Sequence, residues 1–218
     1  MHNQPLAVAT PVEAPRWKRW LIYSPLARIV IFVLMCAALT FGIGALAHAS
    51  GWNGKTATPT AQALMQLLMR AVPAVIAYWL LVHLIERRRM TELAPRRMVL
   101  DGMLGLLAGL LLFSAVVGVL WLLDVYHVIG THPNAPWLPA LLVVGLGAGI
   151  GEEIISRGVL FRIAEEGMGT WWALAISAVF FGAAHIANPG ATLWSSAAIA
   201  IEAGLLFGMI FHVTRSLA

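Results

Sequence analysis

Residues 138–163, LPALLVVGLGAGIGEEIISRGVLFRI, decide how this chain is to be read. An apolar run of this length exceeds the roughly 20 residues that a helix rising about 1.5 Å per residue needs to cross a hydrocarbon core. It nevertheless carries Glu152, Glu153 and Arg157 at its centre. Charges so placed are costly in hydrocarbon unless they are paired or wetted, so each one marks either a structural contact or a functional group.

The pattern around this run repeats its apolar character. Six spans are predicted, at residues 26–48, 61–85, 98–123, 137–163, 171–187 and 193–212. The fifth and sixth are short for a bilayer and call for tilt or local adjustment. Of the 218 residues 60% are hydrophobic and 11% charged, which excludes water as the main solvent. The fold class expected is all-α, a polytopic transmembrane helix bundle. A polar, Pro-containing N-terminal segment, residues 1–25, precedes one helical membrane domain, residues 26–218.

The net charge is +4, but the basic residues lie in short clusters between spans and form no continuous face, so no nucleic-acid partner is expected. Arg16, Lys18 and Arg19 precede the first span, and Arg87, Arg88, Arg89, Arg96 and Arg97 follow the second. Arg162 and Arg215 lie near the ends of the fourth and sixth, whereas the alternate connections hold only Lys55. By the positive-inside rule both termini are expected on the cytoplasmic side. Trp17, Trp20, Trp137, Trp171, Trp172 and Trp194 fall near span ends, where indoles favour the headgroup level. Ala47-His48-Ala49 resembles a signal-peptidase site, but the run before it exceeds a normal signal core, and a retained signal anchor is expected. The single cysteine, Cys36, excludes an intrachain disulfide and a cysteine-based zinc cluster.

Glu153 and Arg157 are four residues apart and are expected to face each other as an ion pair. Glu152 is turned about 100° away and is free to address a neighbouring helix. His185, in the fifth span, reaches a comparable depth when helical rise is counted from the ends near 163 and 171: roughly 16 Å for Glu152 and 21 Å for His185. A carboxylate and an imidazole meeting in a dry cavity suit general-base activation of water. Arg70 and Glu202, also inside spans, are expected to make structural ion pairs or hydrogen bonds.

At these residues the chain resembles the CPBP family of intramembrane glutamic endopeptidases, the CAAX-protease and bacteriocin-processing or Abi family. Glu152-Glu153-x-x-x-Arg157 followed by Gly158 is similar to its EExxxR motif, and Phe181-x-x-x-His185 to its FxxxH motif. Gly204-x-x-x-Gly208, leading to Thr214-Arg215-Ser216-Leu217, is similar to the segment before the family's last motif. The likeness covers about residues 138–218. It implies that Glu152 is the base that activates water, that His185 holds the water, that Glu153 and Arg157 shape the site, and that Phe181 belongs to the substrate-binding surface. No metal and no cofactor is implied. There is no H-E-x-x-H helix for zinc and no G-x-S-x-G turn for a serine nucleophile.

The partners implied are the lipid bilayer and a membrane-associated peptide or protein, in a bacterial inner membrane. A non-catalytic immunity or partner-binding scaffold, or a proton-coupled carrier, remains the alternative, although the halves show no repeat of the kind carriers use. The family has one more spanning helix, bearing HxxxN or HxxxD, after the Thr-x-Ser-Leu turn, whereas the sequence ends at Ala218. The expectation is either a gene that continues beyond Ala218 or weak proteolysis by the 218-residue form.

Overall fold

The computed structural model describes residues 14–217 and contains, among them, helices and no strand. Much of the expected N-terminal segment, residues 1–13, lies outside the described residues. Six main helices follow: α1 (Pro25–Ala49), α2 (Pro59–Glu86), α3 (Pro95–Leu122), α4 (Trp137–Met168), α5 (Thr170–His185) and α6 (Leu193–Thr214). All but α5 are long and apolar enough to span a membrane.

The helix starts follow local chemistry. Proline stands at the first helical position of α1, α2 and α3, where its missing N–H is not needed and its fixed φ suits the first turn. Ser24 Oγ accepts from the Ala27 N–H at 3.2 Å, and Thr58 Oγ1 from the Ala61 N–H at 3.3 Å, capping α1 and α2. At α6 Thr192 and Ser195 cap each other reciprocally. Gly169, at φ 82°, makes the abrupt connection from α4 into α5 that a side chain would strain.

α4 is the central helix. On one side α1 and α2 pack against it through Phe32, Ala74, Tyr78, Leu81, Ile154 and Ile163. On the other, α5 and α6 meet it through Phe161, Ala164, Leu174 and Phe211. Among the described residues of α3 none is buried, so that helix stands outside both clusters.

The ends of these helices that carry the arginines are tied by buried ion pairs, so these basic residues do more than mark orientation. Glu86 is fully buried, and its Oε1 takes Arg162 Nη2 of α4 at 2.7 Å and Arg28 Nη1 of α1 at 3.0 Å. Its Oε2 takes Arg88 Nε at 2.9 Å, and Arg28 continues to Glu166 at 2.9 Å. Arg88 also clasps Glu92 with both terminal nitrogens, at 2.6 and 2.9 Å, while Tyr78 donates its hydroxyl to the same carboxylate. The Leu217 N–H reaches the Glu92 carbonyl at 3.1 Å, which ties residues following α6 into the same network.

Burial opposes charge on both Arg88 and Glu92. Their mutual hydrogen bonds outweigh it, holding the guanidinium above its ordinary pKa and, with help from Tyr78, the carboxyl below the usual carboxylate range. A second node joins α4 to α6, where Glu165 accepts from Arg215 and from Thr170 Oγ1 at 3.0 Å and lies 2.9 Å from His212 Nδ1.

These partners explain why α4 runs to Met168, five residues beyond its expected end: Arg162, Glu165 and Glu166 are charged but neutralised across the bundle. Replacing Glu86 with Ala takes a carboxylate from three arginines at once: Arg28 keeps Glu166 and Arg88 keeps Glu92, while buried Arg162 loses its ion pair. Removing one partner of a buried pair typically costs about 3–5 kcal/mol, so Glu86→Ala is expected to lower the thermal midpoint in detergent steeply, and an unchanged midpoint would show the node to be idle.

Candidate active site

The hairpin of α4 and α5 sets the level of the site. Counted from its turn, Glu152 lies 16 residues before Met168 and His185 lies 15 residues after Thr170. At about 1.5 Å per residue both stand roughly 22–24 Å from the basic end. The depth expected for Glu152, counted from residue 163, was therefore too shallow, but the meeting of the two residues holds. Glu152 and His185 line one cavity of about 180 Å³, with Ile155, Ser156, Phe180, Phe181, Ala184 and Asn188.

The side chains in this cavity are differently engaged. Glu152 is half-buried, and no hydrogen bond or ion pair to another described residue holds its carboxylate. The Nδ1 of His185 lies 2.8 Å from the Phe181 carbonyl. A carbonyl only accepts, so this contact puts the proton on Nδ1 and leaves Nε2 of the neutral ring as an acceptor facing other partners.

Glu153 and Arg157 form the expected pair, with Nη1 3.1 Å from Oε1. The contact is one of charge more than of alignment, because Nη1 and Nε of Arg157 have no hydrogen-bond partner among the described atoms. The fully buried guanidinium instead spans to the neighbouring helices. It lies 4.6 Å from the Phe181 ring centre and 5.2 Å from that of Phe207, and its Nη2 donates to the Ala203 carbonyl at 3.2 Å. Phe181 thus reaches the cavity, but its ring is only 6% exposed and supports Arg157 on one side and His185 on the other, 4.7 Å between ring centres.

Small residues bring α5 and α6 together behind the cavity. A Cβ on Gly182 would lie 2.5 Å from the Ser196 carbonyl, one on Gly204 2.8 Å from Ala178 Cα, and one on Gly208 2.9 Å from Leu174 Cδ2. The Gly204-x-x-x-Gly208 spacing therefore works as a close-packing face, as such spacings do between membrane helices.

Two expectations fail. Arg70 and Glu202 are exposed and have neither an ion pair nor a hydrogen bond among the described residues. The reason is rotational: α2 packs through Ala71 and Ala74, and α6 through Gly204 and Gly208, which turns the neighbouring charged positions off the packed faces. Asn188 was missed because it lies in a connection between spans. The signal available was the shortness of α5, whose 16 residues cover about 24 Å, less than the roughly 30 Å hydrocarbon core. Irregular backbone at such a level is tolerated where it lines a wet cavity, so residues that follow His185 belong to the cavity wall.

A helical bundle with helices long and apolar enough to span a membrane thus brings a carboxylate without a hydrogen-bond partner and an oriented imidazole to one cavity. Residues 134–218, from the start of α4 onward, match the family described as type II CAAX prenyl endopeptidase, Rce1-like, the same CAAX-protease family that the motifs in this part of the chain resemble. No curated protein and no solved structure matches it.

The packing behind the cavity is directly testable. Gly182→Val places carbon where the α6 backbone already stands, and overpacking of this kind costs about 1–3 kcal/mol. The expected result is a lower thermal midpoint in detergent, with Gly42→Val, on a glycine with open space around it, as the unaffected control.

Proposed function

We propose that this protein is a metal-independent intramembrane glutamic endopeptidase that cleaves a membrane-associated substrate of the CAAX type, with the bacterial inner membrane as its location. The observation that carries the reading is the unpartnered Glu152 carboxylate in the same cavity as His185, whose ring is oriented by the Phe181 carbonyl. Glu152 takes a proton from water, His185 Nε2 holds that water in line, and the scissile carbonyl receives the hydroxide. Glu153 and Arg157 shape the site indirectly: the guanidinium fixes Phe181, and through it the imidazole. The membrane-embedded wall keeps bulk water from competing and strengthens each electrostatic contact.

Among the described residues no group of three or more His, Cys, Asp and Glu side chains is placed to hold an ion. The substrate reading rests on the family match of residues 134–218, whose description reads type II CAAX prenyl endopeptidase.

The deciding experiment reconstitutes the protein in vesicles with a prenylated CAAX peptide and follows release of the C-terminal fragment. Glu152→Gln keeps the side-chain volume and removes the base. Loss of general-base catalysis typically costs about 100-fold to 10,000-fold, so turnover is expected to collapse while the thermal midpoint is kept. Full activity in Glu152→Gln would refute the assignment, and a wild type that binds the peptide but never cleaves it would favour the scaffold reading. Activity is further expected to survive strong chelators. Loss on chelation that zinc restores would place the protein among metallopeptidases instead.

A further inference from the structure

Three consecutive arginines, Arg87, Arg88 and Arg89, follow α2, and the ion network takes only the middle one. Arg88 turns inward to Glu86 and Glu92. Arg87, in the left-handed region at φ 51°, reverses the chain at the end of the helix, and Arg87 and Arg89 on either side of Arg88 are exposed. Neither has an ion pair among the described residues.

A second basic segment stands beside them. Residues 16–23 form a short helix that the extended Ser24, at ψ 151°, separates from α1, and its last five residues, Arg19–Tyr23, pack against Leu81–Glu86 at the end of α2. Trp17, Trp20 and Leu21 follow the i, i+3, i+4 spacing that puts them on one face, and all three are exposed. Arg16 is exposed too, and Lys18 Nζ lies 5.4 Å from the Trp17 ring centre.

Charge at this end is balanced inside and unbalanced outside. Glu86, Glu92, Glu165 and Glu166 are taken by Arg28, Arg88, Arg162 and Arg215. Arg16, Lys18, Arg87 and Arg89 remain at the surface, and no ion pair to a described carboxylate answers them. We propose that this surface binds the phosphodiester headgroups of anionic phospholipids, Arg87 and Arg89 from one segment and Arg16 and Lys18 from the other, with Trp17, Trp20 and Leu21 set at the boundary of headgroups and acyl chains.

The chemistry of the surface selects that partner. Two residues apart, the Cα atoms of Arg87 and Arg89 are separated by at most roughly 7 Å, less than the Debye length of about 8 Å at physiological salt, so they act on one anion together. A nucleic acid would meet the same cations but offers no apolar layer to the exposed indoles and leucine beside them. A membrane surface offers both, because indole prefers the headgroup level and basic segments with such residues bind where anionic headgroups overlie hydrocarbon. The site is independent of the reaction in the cavity.

The test titrates the protein, in uncharged maltoside micelles, with phosphatidylglycerol or with phosphatidylcholine of the same acyl chains, and reads the thermal midpoint and the lipid retained in native mass spectra. A ligand that binds only the folded state raises the midpoint. Phosphatidylglycerol is expected to raise it and to stay bound, and phosphatidylcholine to do neither. Each cation near an anionic lipid surface is worth about fivefold in binding, so Arg87→Gln with Arg89→Gln is expected to raise the half-saturating concentration about 25-fold, and Arg16→Gln with Lys18→Gln by as much. Should a variant be less stable before lipid is added, the lipid retained still reports binding. Equal retention of phosphatidylcholine, or wild-type affinity in both pairs of Gln variants, overturns the proposal. So does an equal rise in midpoint with inorganic phosphate or with polyglutamate, which would make the surface a site for free anions or for an acidic protein.

Discussion

Everything above the basic end of the bundle depends on Glu86. A single carboxylate removed from water accepts arginines from three places in the chain: Arg28 on α1, Arg162 on α4 and Arg88 just beyond α2. Around it Glu92, Glu165 and Glu166 face Arg28, Arg88 and Arg215, so the local charge balances at four carboxylates, Glu86 included, against four guanidiniums. Desolvation makes such clusters poor sources of net stability, and their value lies in specificity. Sliding any of these helices by one turn would leave a buried charge alone. Axial register is thereby fixed at one end of each helix, and a rigid helix carries that register to the level of Glu152.

The cavity inherits its geometry from this anchoring through two kinds of contact. The α4–α5 hairpin, closed at Gly169, puts Glu152 and His185 at matching heights by length alone. Arg157 then locks the lateral arrangement, because its guanidinium touches Phe181 of α5 and Phe207 and Ala203 of α6 together. Glycines 182, 204 and 208 let those two helices approach closely enough for one arginine to reach both. The motif glutamates and histidine are thus the visible tip of an arrangement whose supports are mostly an arginine, two aromatic rings and three missing side chains.

Much of this was legible in the sequence, for reasons that differ from residue to residue. The spans could be read because hydrophobicity over about 20 residues reports the solvent directly. The Glu153–Arg157 pair followed from helical periodicity alone. The true length of α4 could not be read, because Arg162, Glu165 and Glu166 look like a water-facing end until partners as far away as Arg28 are known. Arg70 and Glu202 show the opposite error, since cost in hydrocarbon argues for partners but says nothing of helix rotation. Nor does hydropathy distinguish α3 from α1. Both are strongly apolar, yet α1 packs on α2 and anchors the ion network while no described residue of α3 is buried.

The brevity of α5 reaches beyond the protein. In a bilayer, a helix of about 24 Å beside neighbours of about 33 Å and 48 Å would call for lipid to compress on one flank of the bundle. Elastic mismatch of this kind costs fractions of a kcal/mol per ångström and is relieved wherever short-tailed or deformable lipid gathers. Acyl-chain length would then govern how far the mouth of the cavity lies from the headgroups, making membrane composition a control on access that no mutation in the chain need touch.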